Sequence, residues 1–234
     1  MNKIAFITGG NKGLGKEIAK QLKELGVDVI IGTRSKELGA DTANELDVES
    51  VQLDVTDHGG ITRAVKEVED RYDHIDILIN NAGITGSFKG KPSEVTIKQL
   101  QEVYDTNVFG IVSVTNAFIP LLKKSDNGRI INMSSGLGSL TLNSDPGSEF
   151  YNYNLITYQS SKTAVNALTV AYSKELREFN IKVNSADPGF TATDLNQHRG
   201  YRTVEQGASV AVKLALDESD KTGTYQDENG EVPW

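Results

Sequence analysis

The chain has 234 residues and a formal net charge of −8, from 24 Lys and Arg against 32 Asp and Glu. That balance argues against nucleic acid or an anionic membrane as the main partner. Cysteine is absent, which removes disulfides, thiol nucleophiles and cysteine-held metals. The three histidines (His58, His74, His198) have no metal-like spacing, so no metal is expected and they are read as surface residues.

Only four apolar residues, Ile4-Ala5-Phe6-Ile7, precede the first glycine-rich turn, too few for a secretory signal. No run approaches the roughly 20 apolar residues of a membrane span, so a soluble, cytoplasmic chain is expected. A first strand over 3–8 runs into Thr8-Gly9-Gly10-Asn11-Lys12-Gly13-Leu14-Gly15. Leu14, Ile18, Leu22 and Leu25 then recur at near-helical spacing and predict a helix over 13–25. Strand, glycine turn and helix is the arrangement that holds a dinucleotide pyrophosphate. Glycine lets the backbone turn sharply and approach phosphate oxygens, and the helix N-terminus offers unpaired N–H groups to the anion. Gly9, Asn11, Lys12, Gly13, Leu14 and Gly15 are therefore candidate cofactor contacts. The spacing is G-x-x-x-G-x-G, not the commoner G-x-G-x-x-G.

The second strand, 27–33, ends in Ile31-Gly32-Thr33-Arg34-Ser35. An acid at this point would bond the ribose 2′-hydroxyl of NAD; here it is missing, and Arg34 suits a 2′-phosphate instead. A helix over 36–46 follows, then a strand over 51–54 that delivers Asp54 and Val55, and a helix over 60–72. Strand 75–80 leads into Asn81-Ala82-Gly83. The long helical pattern over 96–123 carries Asn107 in its interior, a mildly unfavourable place that calls for a cap, a kink or a function. Strand 129–133 is followed by Ser134 and Ser135, hydroxyls at a strand's C-terminal edge. Helices over 157–179 and 203–216 flank strand 182–187 with its Pro188-Gly189 turn, and a short last strand lies near 223–225.

This alternation predicts an α/β doubly wound Rossmann fold in one domain, with about seven mostly parallel strands and helices on both faces. Ligands bind at the C-terminal strand ends of such sheets. The aperiodic segments 141–156 and 188–202, which follow two of those strands, are expected to shape a substrate pocket. Phe150, Tyr151, Tyr153, Phe190, Leu195 and Tyr201 are its candidate walls.

Of the eight tyrosines, only Tyr158 has a lysine, Lys162, four residues on. In a helix the two share a face. An ammonium beside a phenol favours the phenolate and lowers its pKa towards the working range of a proton donor and acceptor. Taken alone, the pair also fits a solvated helix surface.

Taken together and in this order, the glycine loop, the Asn81 segment, Asn107, Ser135, Tyr158 and Lys162, and the Pro188-Gly189 turn resemble the short-chain dehydrogenase/reductase family along essentially the whole chain. The resemblance implies Tyr158 as acid/base, Lys162 as the residue that lowers its pKa and holds the nicotinamide ribose, and Ser135 as the group binding the reacting oxygen. It implies that Asn107 holds a water in a proton relay. It further implies adenine contacts at Asp54 and Val55, a ribose and sheet-stabilising segment at Asn81, Ala82 and Gly83, and carboxamide or phosphate contacts from Pro188, Gly189, Thr191 and Thr193. Lys12 is a basic residue that NADP-preferring members often carry, so NADPH/NADP+ is the expected cofactor.

The Thr8–Gly13 loop, the Pro188-Gly189-Phe190 turn, the C-terminal segment and the long interval from Ser135 to Tyr158 resemble the carbonyl-reductase branch. Hydride transfer to an aldehyde or ketone with broad specificity is the implied reaction, and a small-molecule carbonyl the partner. Two other readings stay open: a regulatory module that binds NADPH without turnover, and an NAD-linked alcohol dehydrogenase. A homodimer and a monomer are both compatible with the sequence.

Overall fold

The computed structural model describes residues 2–86 and 91–234. Seven strands among them build one sheet: β1 (Ile4–Thr8), β2 (Asp28–Thr33), β3 (Glu49–Gln52), β4 (Ile77–Asn80), β5 (Arg129–Met133), β6 (Lys182–Ala186) and β7 (Tyr225–Gln226). Their order is β3-β2-β1-β4-β5-β6-β7, and every pairing is parallel. Central parallel strands are covered on both faces, and the side chains sort accordingly. Phe6, Ile30, Leu78 and Ile130 face one core with Phe118 and Leu121. Ile7, Ile31, Ile79 and Ile131, each one residue on, face the other with Ile18, Leu22 and Ala211.

The helices are α1 (Gly13–Glu24), α2 (Lys36–Leu46), α3 (His58–Glu69), α4 (Ile97–Tyr104), α5 (Gly110–Leu122), the short α6 (Leu140–Ser144), which buries no residue, α7 (Ile156–Glu175) and α8 (Val204–Leu216). The chain winds outward from β1 to β3, then returns to the other side of β1 to form β4. That reversal opens a crevice at the C-terminal ends of β1 and β4, where an α/β sheet binds its ligand.

Several boundaries differ from the sequence reading. The helix predicted over 96–123 is interrupted by a π-helical turn, Asp105–Phe109, which contains Asn107. By length and composition the run Ile97–Leu122 would suffice to cross a membrane, yet Val103, Val108, Ile111, Val114, Phe118, Leu121 and Leu122 are buried within the fold. β3 starts at Glu49, and Leu53-Asp54 lie beyond its end. β4 starts at Ile77; just before it the Asp76 carboxylate accepts from the Ile4 amide (2.8 Å) and the Ser125 hydroxyl (2.6 Å). The last strand starts only at Tyr225, after Gly223 turns with φ of 71°. His58 and His198 are exposed as expected, whereas His74 is half-buried beside Asp76 at 3.4 Å.

Candidate active site

The glycine loop is shaped by β1, β2 and β4 together. The Gly9 amide donates to the Gly32 carbonyl at 2.8 Å, and Gly9 and Gly13 have φ of 65° and 52°. A Cβ on Gly15 would lie 2.3 Å from the Gly9 carbonyl oxygen and 2.4 Å from Asn81 Nδ2, so only glycine fits there. Asn81 Nδ2 donates to the Thr8 and Gly9 carbonyls at 2.9 and 3.2 Å, and the Thr8 hydroxyl accepts from the Asn81 and Ala82 amides. The Asn81 side chain is thus a clamp on the loop, and Ala82 and Gly83 contribute backbone to the cleft wall. At the start of α1, Lys12 gives no side-chain cap and the first turn holds no acid. The first-turn N–H groups are left for an anion.

From this loop a cleft of about 1540 Å³ runs along the strand ends. It exceeds the roughly 300–1,000 Å³ of common small-molecule pockets, leaving room for a dinucleotide beside a second molecule. Arg34, Asp54 and Val55 line one end. Arg34 is exposed and, among the described residues, its guanidinium has no hydrogen-bond partner. Asp54 is tied down by the Thr56 amide and hydroxyl (2.9 and 2.7 Å), and Val55 is seated against Gly110. Lys12 reaches across the cleft to Asp194 at 3.1 Å, with both side chains exposed. Such a pair contributes about 0–1 kcal/mol, so it exchanges readily for a stronger anion.

At the other end, Ser135, Tyr158 and Lys162 line the same wall. Lys162 is buried; its Nζ donates to the Met133 carbonyl at 2.7 Å and lies 5.5 Å from the centre of the Tyr158 ring. Burial pulls the ammonium down from its ordinary 10.5 to about 8, opposed by the negative charge of Asp187. The Tyr158 phenol is pushed well above its ordinary range by withdrawal from water and by Asp187, while Ser135 pulls the other way. This corrects the expectation that the ammonium lowers the phenol: in this structure Lys162 is bonded to backbone, and burial dominates.

Ser135 faces the cleft; its oxygen accepts a long bond (3.3 Å) from the Leu137 amide, and its hydroxyl also bonds the Tyr158 phenol. Ser134, its neighbour, is spent on Asn166 Oδ1 at 2.7 Å in the interior. Asn107 Nδ2 donates to the Ile84 carbonyl (2.8 Å) and Ser161 Oγ (3.0 Å), and its Oδ1 accepts from the Ile84 amide (2.9 Å). Its side chain therefore pins the Gly83–Ile84 backbone. A Cβ on Gly83 would stand 3.4 Å from Asn107 Oδ1 and 3.7 Å from Lys162 Nζ, so these groups surround one point.

Pro188, Gly189, Thr191 and Thr193 line the floor. The Thr191 hydroxyl donates to the Pro188 carbonyl at 2.9 Å, and Thr193 packs beside Gly13. Both aperiodic segments reach the cleft. Phe150 and Tyr153 come from one side, and Phe190, Leu195 and Tyr201 from the other; Tyr151 does not line it. Sequence reasoning passed over Asp187, buried at the end of β6 among these groups. Its signal was an acid closing a strand otherwise free of carboxylates.

Comparison with known proteins gives three kinds of likeness. The family model described as short chain dehydrogenase matches residues 3–203. The short-chain dehydrogenase anuI of Penicillium roqueforti is 35% identical over 229 residues, covering 93% of this chain and 90% of that protein. Two solved structures share the fold at 26% identity. NADPH-bound carbonyl reductase from chicken fatty liver has a TM-score of 0.87 and covers 100% of this chain and 99% of that one. The 3-ketoacyl-(acyl-carrier-protein) reductase of Brucella melitensis, complexed with NADH, has a TM-score of 0.85 and covers 97% and 96%.

Proposed function

This chain belongs to the short-chain dehydrogenase family, and from that premise we propose that it is an NADPH-dependent reductase of aldehydes and ketones with Tyr158 as general acid. The observation that carries this reading is the cleft itself, with a glycine cradle at one end and Ser135, Tyr158 and buried Lys162 at the other. The residues fit a dinucleotide: the close-packed Gly15, the left-handed Gly9 and Gly13 and the uncapped start of α1 form a phosphate site. Arg34 and Lys12 would take the 2′-phosphate, Asp54 and Val55 the adenine side, and Pro188, Gly189, Thr191 and Thr193 the nicotinamide side. When bound, the dinucleotide supplies the hydride.

The remaining chemistry belongs to side chains. Tyr158 donates its proton to the carbonyl oxygen, and the Ser135 hydroxyl hydrogen-bonds the same oxygen as negative charge develops on it. A phenol held above its ordinary range is protonated at neutral pH and so carries the proton that the reductive direction consumes. Lys162, near 8, exchanges protons with solvent at little cost and can recharge Tyr158. Asn107 keeps the Gly83–Ile84 backbone in place beside that ammonium. The aromatic walls Phe150, Tyr153, Phe190 and Tyr201 favour a medium-sized apolar carbonyl.

The test is consumption of NADPH by the purified protein with a panel of aromatic aldehydes, diketones and quinones, beside Tyr158→Phe. Turnover should fall at least about 10²-fold in the variant, the lower range for a lost general acid, with NADPH binding retained. A variant that keeps most of the activity would remove Tyr158 from the mechanism.

A further inference from the structure

A tight turn, Gly136–Gly138, directly follows Ser135. Its Leu137 amide donates to Ser135 Oγ at 3.3 Å, and the Phe150 ring rests on Gly136, where a Cβ would stand 2.5 Å from it. One side of the turn is held by α7: the Thr163 hydroxyl donates to the Gly138 carbonyl at 2.9 Å, and Asn166 Nδ2 reaches the same oxygen at 3.3 Å. The other side continues into α6, where Asn143 Nδ2 ties the Leu137 and Ser139 carbonyls at 3.1 and 2.6 Å. Because α6 buries no residue, core packing does not hold this side.

Pro233 and Trp234 hold it instead. The Ser139 hydroxyl, fully buried, donates to the Pro233 carbonyl at 2.6 Å. The Thr141 amide and hydroxyl both donate to the Trp234 carbonyl, at 2.9 and 2.7 Å. The indole is in turn anchored: it stacks on the Tyr225 ring with centroids 5.7 Å apart and planes 22° apart, a favourable aromatic arrangement. Tyr225 is buried on β7, the edge strand of the sheet. The Asp227 amide donates to the Gly230 carbonyl at 2.9 Å and the Val232 amide to the Tyr225 carbonyl at 2.8 Å, which folds the chain back from β7 towards α6. Neither Pro233 nor Trp234 lines the cleft.

We propose, resting on the reductase reading above, that Trp234 is a positioning residue: stacked on Tyr225, it straps the segment from Ser135 to Thr141 to the sheet edge and so fixes the Ser135 hydroxyl and the Phe150 wall against the reacting carbonyl. Without the indole the Pro233 and Trp234 carbonyls remain but lose the anchor that presents them to Ser139 and Thr141. The turn is then gripped from α7 alone. A displacement of about 1 Å at a reacting contact costs on the order of 10²-fold in rate, even when its origin is remote.

The test measures kcat, KM and NADPH affinity for Trp234→Ala and Trp234→Phe, each with and without Ser135→Ala. Trp234→Ala should lower kcat by about tenfold or more, within the range for a misplaced group, while NADPH affinity stays within about twofold. Trp234→Phe keeps an aromatic ring for Tyr225 and should recover most of the loss. In the Ser135→Ala background the Trp234→Ala effect should shrink to about twofold, because residues that act through one another are not additive. An unchanged kcat, a change confined to KM, or a full effect that persists without the Ser135 hydroxyl would each overturn the proposal. Should Trp234→Ala not fold, Thr141→Val removes one strap bond from an exposed side chain and must lower kcat a few-fold with the same dependence on Ser135. If the wild type reduces no carbonyl, the functional reading fails on its own, and the strap is judged by chymotrypsin cleavage after Phe150, Tyr151 and Tyr153. Cleavage must be faster in Trp234→Ala than in the wild type or Trp234→Phe; equal rates refute the inference.

Discussion

Replacing Lys162 with methionine should abolish efficient turnover while removing a pH-dependent burden on the fold. The ammonium is 5% exposed, and burial lowers it from 10.5 to about 8. At about 1.36 kcal/mol per unit, holding the charge inside costs the native state about 3 kcal/mol at neutral pH. The sign follows from linkage: a depressed native pKa gives stability that is present above the unfolded value and lost as pH falls through the native one. Wild type should therefore gain on Lys162→Met between pH 8 and 10.5, with about 2 kcal/mol of that gain complete by pH 10. A pH-independent term opposes the benefit of the variant, because the Met133 carbonyl loses its 2.7 Å donor at about 1–3 kcal/mol. Denaturant unfolding of both proteins at pH 7.5 and 10 isolates the pH-dependent part, since titrations not coupled to Lys162 cancel in the difference. A stability difference that stays constant within about 0.5 kcal/mol across that range would refute the reasoning.

Four further outcomes follow from the same geometry. Gly15→Ala should eliminate dinucleotide binding, measured by cofactor fluorescence, because its Cβ would sit 2.3 Å from a backbone oxygen that cannot move alone. Arg34→Asp should shift the NADPH-to-NADH ratio of kcat/KM towards NADH by at least about tenfold, since a carboxylate would repel the 2′-phosphate proposed for Arg34. Ser135→Ala should lower kcat by about 10²–10³, as for a lost oxyanion donor. Ser134→Ala should leave kcat within a few-fold but cost about 1–3 kcal/mol in unfolding, because Asn166 loses a buried partner.

Much of this was readable along the chain because it is local. Buried parallel strands are short aliphatic runs, and the glycine turn between β1 and α1 has a spacing dictated by backbone sterics. The four-residue interval from Tyr158 to Lys162 places both on one helix face. The same local logic also chose Ser135 over Ser134 from family spacing, and the structure gives the two hydroxyls different surroundings. Asn107 was legible as an oddity, but its π-turn and its bonds to Ile84 depend on a neighbouring loop. Asp187 carried only a faint signal, since an acid at a strand end is ordinarily a solvated one.

The sequence by itself determined the order of strands and helices, the glycine cradle, the absence of an acid after β2, and the Tyr158–Lys162 pair. Each depends on residues within about one turn or one strand of each other. Only the tertiary structure decided what the charges experience. Lys12 meets Asp194, 182 residues away, and Asn81 clamps a loop more than 70 residues earlier. Lys162 spends its ammonium on the Met133 carbonyl, and Asp187 ends up buried beside Tyr158. Desolvation and Coulomb energy depend on what surrounds a group in space, and packing β5, β6 and α7 together is what set those surroundings.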